Sequence, residues 1–381
     1  MGADCGDRQW RADAAGRRRG AIREAAIREA AIHEARVMAT GTGRSGTAAP
    51  GAEFPAAITV VGAGAIGSAV AYSLSVAGFA PRLIARGESL AAIRRDGLRV
   101  EKWDGGGGVV RLEASGDPRD FGPQDLVIGT MKAQDWPAAL PALLPLIGPH
   151  TALLPAINGV PWWYFDGIAG RFAGEPIRAV DPDGALLAAL PASRVIGAVI
   201  YMGVSRSAPG AIGWTSGNKF VLGEAAGDSG ERCEKVAAVL RRAGFDATVT
   251  DDIRGEVWAK LLGNAAINPL SVVARARIDE IMADHGLGRV ALSSMHEVAA
   301  VAAAIGAPSR MAVEKRYAIN AELGAFRTSM LQDYEAGRGL ELGALVDAVV
   351  EIGDRLGIAT PMTAALGALA RRAAALRPAA D

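Results

Sequence analysis

The stretch AITVVGAGAIGSAVAYSLSVAGFAPRLIAR, residues 57–86, decides how the chain begins to fold. Residues 57–61 are short, branched and apolar, as a buried strand requires. Gly62, Gly64 and Gly67 follow at G-x-G-x-x-G spacing, and 66–77 reads as a helix. In that setting the glycines play three different parts. Gly62 makes the tight turn, Gly64 lets the backbone approach a pyrophosphate, and Gly67 lets helix pack close to strand. The helix start adds free N–H groups and the positive end of its dipole. Glycines are common in this chain, 48 in all, so the spacing alone says little. Strand, turn and helix together point to dinucleotide binding rather than a structural turn. Gly62, Ala63, Gly64, Ala65, Ile66 and Gly67 are therefore candidate cofactor-binding residues. The second strand, PRLIAR, ends on Arg86, where an NAD site usually places an acid. Arginine there can pair with a 2′-phosphate, which favours NADPH over NADH. A solvated arginine opening a loop is the plainer alternative, and Glu88 two residues on weakens the phosphate reading.

At 381 residues the chain has room for two domains with their own cores. Formal net charge is +0, so nothing draws it to nucleic acid or an anionic membrane, and a small-molecule partner is expected. No run of eighteen apolar residues offers a membrane span. Cys5 and Cys233 make neither a disulfide framework nor a metal cluster. His33, His150, His285 and His296 lack metal-ligand spacing, so no metal is expected. A reducing, cytoplasmic setting fits. Ahead of the first strand, AIREAAIREAAIHEA repeats every five residues, which points Ile22, Ile27 and Ile32 in different directions. With the Gly/Ser/Pro-rich linker 39–55, this makes residues 1–54 a disordered or loosely helical extension, with Met38 a candidate true start.

Further strands follow: an edge strand near GGGGVVRLEAS, then DLVIGTMK (125–132) ending in Lys132, and TALLPAINGV (151–160) ending in Asn158-Gly159. Strand ends of an α/β sheet are where ligands sit, so Lys132 and Asn158 join the cofactor-binding candidates. With VIGAVIYMGV, AIGWTSG and KFVLGE they predict one large, mostly parallel sheet with an antiparallel addition, in a domain spanning 55–250. Residues 251–376 read as helices, which makes a second domain rather than a continued α/β repeat.

The first of these helices, EVWAKLLGNAAINPLSVV (256–273), carries Lys260, Asn264 and Asn268 four residues apart among apolar neighbours. Steps of four advance a helix by about 40°, so the three polar groups form one narrow line. Burying them unpartnered costs about 1–3 kcal/mol for each amide and more for the charge. Either the line faces water or something polar sits opposite. Pro269 is expected to end or kink this helix. Further on, 327–361 reads as two helices broken near Gly337-Arg338-Gly339, with Ser329 before the break and Glu341 opening the second.

From about 57 to 372 the chain resembles the ketopantoate reductase (2-dehydropantoate 2-reductase) family. The matching pieces are GAGAIG, Arg86, TMK with Lys132, ING with Asn158, WAKLLGNAAINPL, TSMLQD with Ser329, and LELGAL with Glu341. The resemblance implies a Rossmann-like NADP-binding domain followed by an all-α domain like the C-terminal one of 6-phosphogluconate dehydrogenase. It implies NADPH-dependent reduction of 2-dehydropantoate in pantothenate biosynthesis. Lys260 would then be the proton donor and Glu341 its neighbour in the cleft, both catalytic, with Asn264, Asn268 and Ser329 binding substrate. The chemistry stands on its own: hydride delivery leaves negative charge on a carbonyl oxygen, which an ammonium stabilises and protonates. Two departures bear on the substrate. Residues 161–193 are longer than in compact members, and Trp162, Trp163 and Tyr164 stand beside the Asn158 turn, poised to reshape the pocket. Ile278 stands near a place where some members have an asparagine. The alternatives are a same-family reductase of a bulkier keto acid, warranted by those aromatics, and a non-catalytic NADP-binding sensor. The apolar helical domain suits a homodimer.

Overall fold

The computed structural model describes residues 55–227, 230–307 and 311–377. The expectations for 1–54 and for Met38 as a start lie outside them. An N-terminal α/β domain with a parallel sheet is followed by a helical C-terminal domain.

The first sheet is five-stranded and wholly parallel. It comprises β1 (Ile58–Val61), β2 (Arg82–Ile84), β5 (Ala114–Ser115), β6 (Gln124–Gly129) and β7 (Ile147–Pro155), in the order β5-β2-β1-β6-β7. Order reverses at β1, which places a ligand crevice at the carboxyl ends of β1 and its neighbours. The single large sheet expected from the sequence is instead two. β3 (Leu98–Lys102), β4 (Gly107–Val110), β8 (Ile196–Ala208), β9 (Ala211–Glu224) and β10 (Asp246–Val249) form a separate mixed sheet around β9. Only the isolated bridge Leu153–Val195 ties the two at this edge. The reason is steric: α1 (Ala65–Val76), buried along most of its length, packs between them. Ile58, Val60, Leu126 and Ile128 share a core with α1 and the second sheet, whereas Val61, Val127 and Leu153 face the other way. This is the period-two division of a sheet covered on both sides.

That second face packs on Trp136 and on the stretch Trp162–Phe165, whose four aromatic side chains are at most 2% exposed. Trp162 Nε1 donates to the Leu190 carbonyl at 3.0 Å, and its ring lies 4.8 Å from that of Trp136. Tyr164 Oη accepts from Trp258 Nε1 at 2.7 Å. These aromatics are core rather than pocket wall, which corrects the expectation that they shape the pocket. The run is simply too apolar to leave beside water.

The helical domain is built on α6 (Ile253–Ala274), capped by Asp252, whose side chain accepts from the Gly255 N–H at 2.9 Å. Pro269 neither ends this helix nor stops its burial. Ile267, Leu270 and Val272 are 3% exposed or less on either side of it, and that packing outweighs the one backbone bond the ring removes. The helix stops at Arg275, in the left-handed region at φ 50°. Around α6 pack α8 (His285–Ala304), α9 (Val313–Glu322), α10 (Ser329–Glu335) and α12 (Pro361–Ala375). The break at 337–339 is present, with Gly337 at φ 76°, and a π-helical turn Gly343–Asp347 follows. No helix among the described residues is long and apolar enough to cross a membrane.

Candidate active site

The glycine turn is built from backbone. Gly62 has φ 104°, and its N–H donates to the Ile84 carbonyl at 2.9 Å. A Cβ on Gly67 would lie 1.9 Å from the Gly62 oxygen and 2.3 Å from Thr130 Oγ1, so only glycine lets α1 sit this close. Thr130 Oγ1 donates toward the Val61 and Gly62 carbonyls and pins the turn to β6. A Cβ on Gly64 would meet nothing within 4 Å, and α1 starts there with no side-chain cap. Open space before an uncapped helix start is what a pyrophosphate needs. Ala63, Ala65 and Ile66 complete this loop. Arg86 lies exposed at the end of β2, at the N-cap of the helix Gly87–Asp96.

Because β1, β6 and β7 are parallel neighbours, the glycine turn, Lys132 and Asn158 all follow carboxyl ends on one edge. Two strand spacings, about 10 Å, separate the β1 and β7 ends. Lys132, however, is turned toward the helical domain. Its Nζ donates to Asp333 Oδ2 at 2.6 Å and to the Gly339 carbonyl at 2.7 Å, while Asp333 also takes Arg338 Nε at 2.7 Å.

Asn158 meets α6. Lys260 Nζ donates to Asn158 Oδ1 at 2.7 Å and to the Ile200 carbonyl of β8 at 2.6 Å, with the Tyr201 ring 5.5 Å away. Asn158 also lies beside Glu341 and favours its charged form, so one amide stands between the ammonium and the carboxylate. The turn is locked there. Gly159 has φ 84°, a Cβ on it would strike the Ala344 carbonyl at 2.4 Å, and the Val160 N–H donates to that carbonyl at 2.9 Å. Burial pushes the Lys260 ammonium down to about 8; the nearby Glu341 carboxylate raises it and the Arg316 guanidinium lowers it. Burial likewise raises Glu341, against the pull of Lys132, Asn158 and Lys260.

A small recess beside Lys260 is lined by Ile157, Asn158, Val199, Val257, Leu261 and Asn264, among others. Asn264 is half-buried and Asn268 is buried, and among the described residues neither side-chain amide has a hydrogen-bond partner. Ser329 is exposed at the first turn of α10. Its neighbour Thr328 caps that helix and shares a hydrogen bond with Ser271, whose Oγ donates to the Asn268 carbonyl. The structure therefore brings Lys260, Asn158, Glu341 and Asn264 together, with Lys132 acting on Glu341 while bonded to Asp333 and Gly339, sets Ser329 near the far end of the line, and leaves Arg86 apart from it. The Ile200 carbonyl and the Asp333–Arg338 pair had no signal in the sequence. Ile278 is buried.

Comparison with known proteins follows this division of the chain. Residues 58–227 match the family described as Ketopantoate reductase PanE/ApbA, and 252–374 match Ketopantoate reductase PanE/ApbA C terminal. A 2-dehydropantoate 2-reductase of Mesorhizobium japonicum is 40% identical over 84% of this chain and 98% of its own length. A solved candidate ketopantoate reductase from Ralstonia solanacearum MolK2 superposes with a TM-score of 0.80 at 38% identity, covering 84% of this chain and 98% of that one. The 2-dehydropantoate 2-reductase structure from Geobacter metallireducens GS-15 gives 0.73 at 28% identity, over 83% and 99%.

Proposed function

Since the chain belongs to the ketopantoate reductase family, a family of oxidoreductases, we propose that it reduces 2-dehydropantoate to pantoate with NADPH, as a step of pantothenate biosynthesis in the cytoplasm. The observation that carries this reading is the enclosed Lys260 ammonium, held by Asn158 and the Ile200 carbonyl, with two unpartnered amides continuing its line.

The backbone N–H groups from Ala63 to Gly67 would hold the pyrophosphate and Arg86 the 2′-phosphate. When bound, NADPH supplies the hydride. Lys260 donates its proton to the carbonyl oxygen as charge develops there, and an ammonium that burial brings down to about 8 is well matched to that role at neutral pH. Asn158 aims the ammonium and couples it to Glu341. Asn264 and Asn268 donate to substrate oxygens, and Ser329 closes the far end. Lys132, tied to Asp333 and Gly339, holds the two domains together beside the cleft. The domain junction falls at 250/251, ahead of the Asp252 cap. The aromatics that favoured a bulkier acid lie in the core, and that alternative loses its warrant.

The test is dinucleotide consumption with 2-dehydropantoate and a panel of other 2-oxo acids, each with NADPH and NADH. The expected result is the highest kcat/KM for 2-dehydropantoate with NADPH. Tight dinucleotide binding with no oxidation by any 2-oxo acid would make the chain a sensor instead.

A further inference from the structure

Helix α9 crosses the central helix at Gly263, between Lys260 and Asn264 in sequence. A Cβ on Gly263 would stand 3.2 Å from Arg316 Nε, 3.3 Å from Asn320 Nδ2 and 3.4 Å from a terminal Arg316 nitrogen. Three donors thus converge on a residue next to the polar line. Arg316 Nε and Asn320 Nδ2 are both buried and have no hydrogen-bond partner among the described residues, and Asn320 is only 3% exposed. Nor does any carboxylate among those residues form an ion pair with Arg316. Buried polar groups are ordinarily satisfied, so these unpartnered donors call for an acceptor that the described residues do not supply. Arg316 also lies near enough to oppose the charge on Lys260. Two neighbouring cations match a molecule that develops charge on one oxygen while carrying a fixed anion beside it.

We propose that Arg316 and Asn320 form the anion subsite of the cleft, taking the carboxylate of a 2-oxo acid while Lys260 faces its carbonyl oxygen. The proposal rests on the reductase reading and deepens it. In a 2-oxo acid the carboxylate is bonded directly to the carbonyl carbon, so the two cations address adjacent groups. A guanidinium edge presents parallel N–H donors that fit both carboxylate oxygens, and Asn320 adds a third. Gly263 keeps this corner free of a side chain. A neutral ketone, ester or amide would leave the buried Arg316 Nε and Asn320 Nδ2 donors without a charged acceptor, so the subsite favours acids over their neutral analogues.

The experiment titrates oxamate, an unreactive isostere of a 2-oxo acid, and its neutral counterpart oxamide into the full chain with saturating NADP⁺, by calorimetry. Wild type should bind oxamate and not oxamide. Arg316→Gln should weaken oxamate by about 10- to 100-fold, and Asn320→Ala by about 10-fold, with dinucleotide affinity unchanged. In parallel, the ratio of kcat/KM for a 2-oxo acid over its methyl ester should collapse in Arg316→Gln. A merely structural arginine would lower both substrates alike and leave the ratio. Equal oxamate binding by wild type and Arg316→Gln, no oxamate binding by wild type, or an unmoved ratio overturns the subsite. Arginine-dependent oxamate binding without reduction of any 2-oxo acid would sink the reductase reading alone.

Discussion

The glycine turn and the Lys260 line sit on one edge of the molecule and are built in opposite ways. At the turn, the functional groups are backbone N–H donors left open before an uncapped helix, and the glycines keep side chains out of the way. At the line, the functional groups are side chains, and the charged one is held by segments far away in sequence: Asn158 and Ile200 hold Lys260, with Glu341 beside Asn158. A backbone site tolerates side-chain exchange and fails when a Cβ intrudes. A side-chain site fails when one atom of the network is removed. Substitutions in the two places should therefore fail differently.

The largest effect belongs to Lys260. Lys260→Ala removes the proton donor, and turnover should fall by about two to four orders of magnitude while NADPH binding, measured by fluorescence titration, stays as in wild type. Near-normal turnover would take Lys260 out of the mechanism and dissolve the contrast between the two sites.

At the turn, the expected order is reversed. Gly67→Ala drives a methyl into the Gly62 carbonyl, so stability should drop by about 1–3 kcal/mol or more, with loss of dinucleotide affinity. Gly64→Ala meets no neighbour within 4 Å, so its thermal midpoint should match wild type while NADPH binding weakens. If Gly64→Ala bound NADPH as wild type does, the open space before α1 would not be where the pyrophosphate lies.

How far each site could be read from the sequence follows the same contrast. The turn is contiguous, and G-x-G-x-x-G after an apolar strand carries its geometry within a few residues. The Lys260 line is legible as a period of four within one helix. Its partners are not, because Asn158 is 102 positions away from Lys260 and its register depends on how β7 meets α6. The place of Asn158 after a strand suggests a cofactor contact, and nothing in that position signals the bond its side chain makes to the ammonium. Pro269 does not end the helix, because the packing of Ile267, Leu270 and Val272 around it, which local backbone rules cannot weigh, prevails. Arg316 and Asn320 sit in KRYAIN, which reads as an ordinary helix. The one available signal is Gly263, a residue that weakens a helix interior unless another group approaches closely.

A smaller effect sharpens the chemistry of the line. Burial brings the Lys260 ammonium down from 10.5 to about 8, so the donor form is lost as pH rises through that value. kcat/KM should be flat below it and fall about tenfold per pH unit above it. Glu341 raises the Lys260 value, so Glu341→Gln should move this alkaline limb to lower pH. Glutamine keeps the size of the side chain and an amide oxygen facing Asn158, so the substitution removes charge with little change of shape. A limb that stays in place would mean that Glu341 does not act through Lys260.

The smallest functional effect is expected at Trp162, three residues after Gly159 and yet outside the site. Trp162→Phe deletes the donor to the Leu190 carbonyl and part of the stack on Trp136. Stability should fall by about 1–3 kcal/mol, seen as a lower denaturation midpoint. The ranking of 2-oxo acids by kcat/KM should not change, because this indole, 2% exposed, faces the core under the parallel sheet rather than the recess at Lys260. A changed ranking would show that the core beneath the Asn158 turn transmits shape to the cleft, and the aromatic stretch would regain the role its position in the sequence suggested.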